Sequence, residues 1–256
     1  KIGKDREMYK ANFYPSAHLI QSVGAAQTTL YIDGCRPYFN PANENPVSTE
    51  FQKNVEIMNN KEVNEKFPLL NKLLAQVAHP AIRNKGTHGG SIAYGDPAAE
   101  LPAFAVLTNA EIILSGSDGE RIVSAKEFYK GLFETAINSD EILTSVKYPI
   151  NQNDKKLFFD EVTRRHGDYA MAGLIGSIKQ NNKINEEINL VFFGTGDRPN
   201  EAPKTCEYLL KNEYNYSDIK DILKNDIDFA SDISSSSDMK AHLSAILVGR
   251  MMKELN

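Results

Sequence analysis

Hydrophobic residues recur every three or four positions in one segment of the chain and every second position in several others. The helical spacing is shared by Val63, Phe67, Leu70, Leu74, Val77 and Ala78. It predicts an amphipathic helix over residues 62–78 that ends at His79-Pro80. Residues 34–60, which precede it, carry three prolines among asparagines and little periodicity. They are predicted to form a long surface loop.

Alternation predicts strands in the rest of the first half. Ala110–Leu114 and Arg121–Val123 are predicted to form a hairpin around the turn at residues 117–119. A further strand is predicted where Ile142, Thr144, Val146 and Tyr148 alternate up to Pro149. Between the hairpin and this strand, the sequence Ser124-Ala125-Lys126-Glu127 fits a capping box, which predicts a short helix that carries Phe128 and Phe133.

The polar stretch 151–156 predicts a joint between two domains, residues 1–150 and 151–256. Beyond it, three closely spaced strands predict an antiparallel meander, and these strands are Leu157–Thr163, Ala170–Ile178 and Ile188–Phe193. Three helices are predicted to complete the chain at Ala202–Leu210, Ser217–Lys224 and Asp238–Leu255. The fold class predicted from this pattern is α+β.

Composition excludes several function classes without naming one. The chain has 256 residues, of which 41% are hydrophobic and 25% charged, as is usual for a soluble globular protein. Its net charge of -5 argues against a nucleic-acid partner, and it has no apolar run long enough to span a membrane. Cys35 and Cys206 belong to no Cys-x-x-Cys pair, so we expect no metal site and a cytoplasmic location. Because the first residue is Lys, we expect an incomplete N-terminus.

A glycine-rich stretch from Arg83 to Ser91 is the strongest candidate for binding. Glycines allow main-chain N–H groups to approach a ligand closely, as a phosphate requires. The following Asp96-Pro97 is predicted to start a helix that runs to about Leu107, whose positive N-terminal end would favour an anion. A turn-rich connection between two elements remains the alternative interpretation.

A second unusual stretch, Arg164-Arg165-His166-Gly167-Asp168-Tyr169-Ala170, lies at the end of a predicted strand. We expect Arg164, Arg165 and Asp168 to form a charge-assisted brace, either within the protein or towards a partner surface. His166 has no nucleophile or orienting group in a recognisable pattern, so no catalytic residue is assigned. The other histidines lack metal-ligand spacing, so no metal ligand is assigned either.

These two motifs together carry a family resemblance. The first, Ile82-Arg83-Asn84-x-Gly86-Thr87-x-Gly89-Gly90 with the following Asp96-Pro97-x-x-Glu100-Leu101-Pro102, resembles the FAD-binding medium subunit of molybdenum hydroxylases, the carbon monoxide dehydrogenase and xanthine dehydrogenase family. The stretch Arg164–Ala170 resembles the start of that family's C-terminal flavoprotein domain. The resemblance extends from about Phe67 to the C-terminus.

The resemblance implies a fold, a cofactor and partners. The fold is a flavin-binding (PCMH-type) domain followed by a small C-terminal α+β domain with a three-stranded antiparallel sheet and helices. FAD would pass electrons from a small iron–sulfur (2Fe–2S) subunit to an outside acceptor, while a large molybdopterin subunit oxidises the substrate. The residues carried over to the FAD pyrophosphate are Gly86, Thr87, Gly89, Gly90 and Ser91. Glu100 would lie near the ribose or phosphates, and Ile142 and Leu143 beside the isoalloxazine ring.

The sequence departs from the family pattern at several positions. The family's loop usually reads Gly-Thr-Ile-Gly-Gly-Asn, whereas this chain has His88 in place of the apolar residue and Ser91 in place of the amide. Glu100 replaces an aspartate, and an earlier glycine-rich loop of the family has no counterpart. Three hypotheses therefore stay open: an FAD-binding electron-transfer subunit, a non-catalytic scaffold subunit that has lost flavin, and an autonomous flavin oxidase.

Overall fold

The computed structural model describes residues 29–33, 53–149 and 154–255. Its first group of elements comprises β1 (Thr29–Asp33), α1 (Asn54–Asn59), α2 (Lys61–Lys66), α3 (Pro68–Gln76), α4 (Pro80–Arg83), α5 (His88–Tyr94), α6 (Glu100–Leu107), β2 (Glu111–Gly116), β3 (Gly119–Ser124), α7 (Ala125–Phe128), β4 (Tyr129–Gly131), β5 (Glu134–Thr135) and β6 (Ile142–Pro149). The second comprises β7 (Lys155–Val162), β8 (Ala172–Asn181), β9 (Ile184–Phe193), β10 (Asn200–Glu201), α8 (Pro203–Lys211), α9 (Tyr216–Asp226) and α10 (Ser237–Leu255). Helices and antiparallel strands occur in both groups, which confirms the predicted α+β class.

The first sheet is antiparallel and has the strand order β1-β6-β2-β3. Its central strands pair Ile112 with Val146, and both side chains are fully buried. Helix α5 packs against β6, the strand that ends with Tyr148 and Pro149. The alternation read from the sequence is therefore the alternation between the core face and the outer face of this sheet.

The second sheet has the order β10-β9-β8-β7, and its three long strands form the predicted meander. Phe158, Leu174 and Phe192 lie in one hydrophobic cluster with residues of α8, α9 and α10. Phe159, Ile175 and Phe193 lie in the other cluster, which includes α6. Helix α10 is 19 residues long, yet none of the described helices has the length and apolarity needed to cross a bilayer.

The two groups of elements share one hydrophobic core at the second sheet. The rings of Phe159 and Phe193 stack with centroids 6.3 Å apart and 6° between their planes. A Cβ on Gly173 would fall 2.0 Å from the Phe193 ring, so the glycine makes room for this stack. Residues 150–153 lie outside the described residues, and the boundary that we place near residue 150 stays a prediction.

The single helix predicted over residues 62–78 is wrong, because the structure divides it into α2 and α3. Phe67 lies between them with φ -134° and ψ 61°. Pro68 has no N–H to donate, and its ring disfavours helical geometry at the preceding residue, so one helix ends and another starts here. The hydrophobic period continues because α3 still buries Leu70 and Leu74.

Two further predictions need correction. The predicted loop of residues 34–60 contains α1, because the Glu56 carboxylate accepts a hydrogen bond from the Lys53 N–H at 3.0 Å and Ile57 is buried. Residues 34–52 lie outside the described residues. The helix predicted from Ser124 is only the four-residue α7, and Phe133 lies in the β4–β5 turn at φ 54° instead.

Candidate functional site

The first half of the glycine-rich stretch is tied to the end of α3. Arg83 donates from Nη1 to the main-chain oxygens of Val77 and Ala78 at 2.8 and 2.7 Å. The Gly86 N–H donates to the Ile82 oxygen at 2.6 Å, which closes α4. The arginine of the motif therefore has a structural role, since it satisfies the last carbonyl groups of a helix.

The second half of this stretch begins α5. Thr87 is the N-cap, and its Oγ1 accepts from the Gly90 N–H at 3.0 Å. Gly89, Gly90 and Ser91 therefore lie in the first turns of a helix and not in an extended loop. Among the described residues, the glycines with positive φ are Gly95, Gly119, Gly167 and Gly194, so the motif glycines at 86, 89 and 90 do not serve unusual backbone angles.

The lack of room for a side chain explains the glycine at position 90. A Cβ there would fall 2.7 Å from Thr87 Oγ1 and would disturb the cap, and Gly90 itself is exposed. The first N–H groups of a helix have no acceptors inside the helix, and its N-terminus favours an anion. The Thr87 hydroxyl still has its own proton to donate. That this helix start holds the pyrophosphate of FAD stays a prediction.

Directly beneath this helix start, the side chain of His88 is fully buried. Its Nε2 and the Tyr148 hydroxyl are 2.7 Å apart and share a hydrogen bond. Burial lowers the pKa of His88 to about 3, so the ring is neutral at physiological pH. The motif's histidine therefore lies in the core and does not face a ligand, which a sequence pattern alone could not distinguish.

The helix predicted to start at Asp96-Pro97 begins three residues later, at Glu100. Asp96 Oδ1 accepts from the Ala98 N–H at 2.9 Å, so Asp96 forms a turn and does not cap the helix. The Pro97 oxygen accepts from the Gly194 N–H at 2.7 Å, which joins this turn to the end of β9. The predicted end of the helix at Leu107 is confirmed.

Glu100 lies where the two halves meet. Its pKa is raised to about 8, mainly by burial and to a smaller extent by the carboxylates of Glu161 and Asp96. Burial likewise raises the pKa of Glu161 to about 7, with a contribution from Asp160. The buried Oε2 of Glu161 has no hydrogen-bond partner among the described residues. The carboxylate of Glu161 in the second half thus acts on Glu100 in the first half, and burial favours the protonated form of both groups.

The predicted flavin wall lies on β6. Leu143 is buried and pairs with Leu114 of β2, while Ile142 is half-buried beside Ser115. Tyr148, which contacts the helix start through His88, lies on the same strand six residues further on, roughly 20 Å away at the usual rise of a strand. The helix start that carries the predicted phosphate residues thus contacts one end of β6, and the predicted flavin wall lies at the other end.

The brace predicted for Arg164, Arg165 and Asp168 does not form inside the protein, and its alternative, a contact with a partner surface, stays a prediction. All three side chains are exposed, and within the described part of the chain none of them forms an ion pair. Arg164 Nη2 instead donates to the Ser234 oxygen at 3.1 Å. The motif nevertheless joins the two halves through other residues, which the charge pattern did not indicate.

Gly167 and Tyr169 make these contacts. Gly167 has φ 87°, and a Cβ there would fall 2.7 Å from the His79 ring. Tyr169 is exposed, and its hydroxyl interacts electrostatically with the Asp96 carboxylate. Partial burial and Asp96 together raise the pKa of Tyr169. Gly167 and Tyr169 of the second motif therefore lie against residues of the first half that flank the glycine-rich stretch in the sequence.

Asn54, which no sequence pattern singles out, is buried beside the glycine-rich stretch. Its N–H donates to the Gly86 oxygen at 3.0 Å, and its side-chain Oδ1 has no partner among the described residues. Lys53 pairs with Thr87 in an isolated antiparallel bridge. No sequence signal pointed to Asn54, because it falls in the segment predicted to be a loop.

Comparison with known proteins covers both halves of the chain. Residues 51–151 match the family described as "FAD binding domain in molybdopterin dehydrogenase". Residues 158–255 match the "CO dehydrogenase flavoprotein C-terminal domain".

Individual relatives agree with these matches. The glyceraldehyde dehydrogenase medium chain of Sulfolobus acidocaldarius is 32% identical over 78% of this chain and 72% of its own length. The carbon monoxide dehydrogenase medium chain of Afipia carboxidovorans is 36% identical over 42% of this chain and 37% of its own length. A chain of quinoline 2-oxidoreductase from Pseudomonas putida 86 superposes with a TM-score of 0.75 and 25% identity, over 91% of this chain and 76% of that one.

Proposed function

We propose that this chain, which belongs to the FAD-binding medium subunits of the molybdenum hydroxylases, binds FAD at the start of α5 and transfers electrons from iron–sulfur clusters on a partner to an external acceptor. The observation that carries the proposal is the Thr87-capped, glycine-rich start of this helix, with Gly90 exposed at its surface. Such a helix start binds phosphate without any basic side chain.

The residues of the helix start have separate roles in this proposal. The Thr87 hydroxyl accepts from Gly90 and donates its own proton to a phosphate oxygen. Gly90, which is exposed, allows the ligand to approach the main chain, and Gly86, the buried Gly89 and Ser91 lie beside it. Glu100, at the start of the neighbouring helix α6, binds a ribose hydroxyl, and a carboxyl group that retains its proton can donate as well as accept there.

The apolar side chains of Ile142 and Leu143 supply the flat surface that a flavin ring requires. FAD, when bound, supplies a centre that exchanges electrons one or two at a time. The contribution of this chain is to hold the cofactor at a fixed place and to exclude water from one side of its ring.

Assembly with other subunits is the second part of the proposal. Similar proteins are named as medium chains or as complex subunits, such as the 6-hydroxypseudooxynicotine dehydrogenase complex subunit alpha of Paenarthrobacter nicotinovorans. We infer that a small iron–sulfur subunit supplies the electrons and that a large molybdopterin subunit oxidises the substrate. The complex thereby divides substrate oxidation and electron delivery between chains.

The test is to purify the chain with its co-expressed partners and to measure the flavin that is released on denaturation. We expect about one FAD per chain, together with the visible absorption of iron–sulfur clusters. Gly90→Val should lower the flavin content to about a tenth or less, because the new side chain displaces the Thr87 cap and blocks the approach to the main chain.

Gly119→Ala is the matched control, because a Cβ at this hairpin glycine meets no atom within 4 Å. This variant should keep its flavin. A wild-type complex that assembles but carries no FAD would instead support the scaffold hypothesis. A chain that oxidises a small organic substrate without any partner would favour the autonomous oxidase.

A further inference from the structure

A buried polar pair, His88 and Tyr148, lies under the helix start that we propose for FAD. Both side chains are 0% exposed, and the 2.7 Å hydrogen bond between them joins residues that are 60 positions apart. The Tyr148 ring also packs against Phe67 and Phe104, with centroids 6.3 and 5.3 Å away. An isolated polar contact thus sits inside an otherwise aromatic core.

The pair of His88 and Tyr148 is unusual because a hydrophobic core does not need a polar contact. His88 Nδ1 has no hydrogen-bond partner within the described part of the chain, so the ring is only half satisfied. A buried polar group that lacks partners is unfavourable, and an apolar side chain of similar size avoids the problem. The stability of the core alone therefore does not account for the histidine.

The position of His88 in the chain suggests the role of the His88–Tyr148 pair. His88 is the first residue of α5, and its neighbours Thr87 and Gly89 belong to the proposed phosphate site. A hydrogen bond has a narrow range of lengths and angles, whereas apolar contacts permit sliding. A side chain tethered to β6 therefore fixes the main chain of the helix start relative to the sheet.

We propose that the His88–Tyr148 hydrogen bond is a positioning device, which sets the helix start at the distance from β6 that FAD binding requires. This inference rests on the proposed function, because it concerns the affinity of the same site. His88 and Tyr148 act through Thr87 and Gly89 and do not contact the cofactor. Small displacements of such donors have large effects, because phosphate recognition depends on their directions.

The test is a double-mutant cycle on the full chain in its complex. Tyr148→Phe leaves His88 Nε2 without its partner, and His88→Ile leaves the Tyr148 hydroxyl without its partner. The double variant removes both polar groups and leaves an apolar pair. FAD affinity is measured by titrating the flavin-free complex with FAD, and the thermal unfolding of the flavin-free form is measured in parallel.

We expect each single variant to bind FAD about tenfold more weakly, and the double variant to bind no more weakly than either single variant, because the same hydrogen bond is lost in all three. Tyr129→Phe is the matched control, since Tyr129 is also a buried tyrosine but its hydroxyl has no partner among the described residues. This control should leave the FAD affinity unchanged. If His88→Ile fails to fold, Tyr148→Phe and the double variant provide the same comparison.

Two results would overturn the positioning role while leaving the proposed function intact. In one, the variants bind FAD as tightly as wild type and differ only in thermal unfolding, which would make the pair purely structural. In the other, the double variant is weakened by as much as both singles combined, which would mean that the two groups act independently. A wild-type complex that binds no FAD would contradict both the proposed function and this inference.

Discussion

The two motif regions of this chain are held in place in different ways. At the start of α5, the support comes from within the same half: Thr87 caps the helix, and His88 bonds to Tyr148 of β6. Around Gly167, the chain is mostly exposed and its contacts reach the other half, through His79 and Asp96. The start of α5 exposes Gly90 at the surface, whereas the region around Gly167 joins the two halves of the protein.

Glycine serves both regions, but by different physical means. Gly90 has ordinary helical geometry and is required because a Cβ would strike the Thr87 cap. Gly167 has φ 87° and also faces the His79 ring, so both its conformation and its surroundings exclude a side chain. A glycine in a motif therefore does not by itself indicate a ligand.

The largest effect that would test this contrast is expected for Gly167→Ala. Positive φ disfavours alanine, and its Cβ would lie 2.7 Å from the His79 ring and 3.2 Å from the Ala78 oxygen. We expect the free energy of unfolding to fall by about 3 kcal/mol, measured by chemical denaturation. Gly119→Ala separates the two causes, because Gly119 has φ 107° but open space around it, and it should lose only about 1 kcal/mol. Equal losses at both positions would show that the contact with His79 contributes nothing.

Much of the fold could be predicted from local patterns. Local patterns predicted β2, β3 and β6 of the first sheet and β7, β8 and β9 of the second, but not β1 or β10. Hydrophobic spacing predicted α8, α9 and α10, since each depends on neighbouring residues in the sequence. The break at Pro68 was missed although proline carries a clear signal. The glycine-rich stretch was predicted to be a binding loop, and its helical geometry was missed because Thr87 was not identified as a cap.

The remaining features depend on contacts between distant parts of the chain. The bond of His88 to Tyr148, the approach of Glu161 to Glu100 and the contact of Gly167 with His79 each join segments that only the complete fold brings together. The charges of Arg165 and Asp168 suggested an ion pair, yet both side chains point to solvent. A pattern of charged residues predicts an ion pair well only where the burial of the side chains is already known.

A second prediction concerns Glu100, which lies between the two regions. Its pKa rises from 4.5 to about 8, mainly through burial, so the folded state binds more protons than the unfolded state between these pH values. The free energy of unfolding must therefore decrease as the pH rises through this window. Glu100→Gln removes the titration and should stabilise the protein by about 2 kcal/mol at pH 8, and by much less at pH 5.

Urea denaturation of the flavin-free protein across this pH range measures the effect. Glu141→Gln is the control of opposite sign, because its hydrogen bond with Arg121 lowers the pKa of Glu141 to about 2. That variant should lose a little stability at neutral pH and nothing at pH values below the folded pKa. Parallel curves for wild type and Glu100→Gln would show that Glu100 ionises normally and that the two halves do not enclose a protonated carboxyl pair.

The smallest effects are expected for the charged side chains of the second motif. Asp168 is exposed and has no ion pair within the described residues, so Asp168→Ala should change the free energy of unfolding by less than about 0.5 kcal/mol. Tyr169→Phe loses the polar interaction of its hydroxyl with Asp96 and should destabilise the protein by about 0.5–1 kcal/mol. The order of these two losses decides which residue type joins the halves at this motif.

If Asp168→Ala proves the more damaging in the isolated chain, its carboxylate has a partner inside the protein, and the joint depends on charge after all. If it is harmless there but weakens assembly with the other subunits, measured by co-purification, the exposed carboxylate belongs to a partner surface, which is the remaining role that the sequence suggested for it.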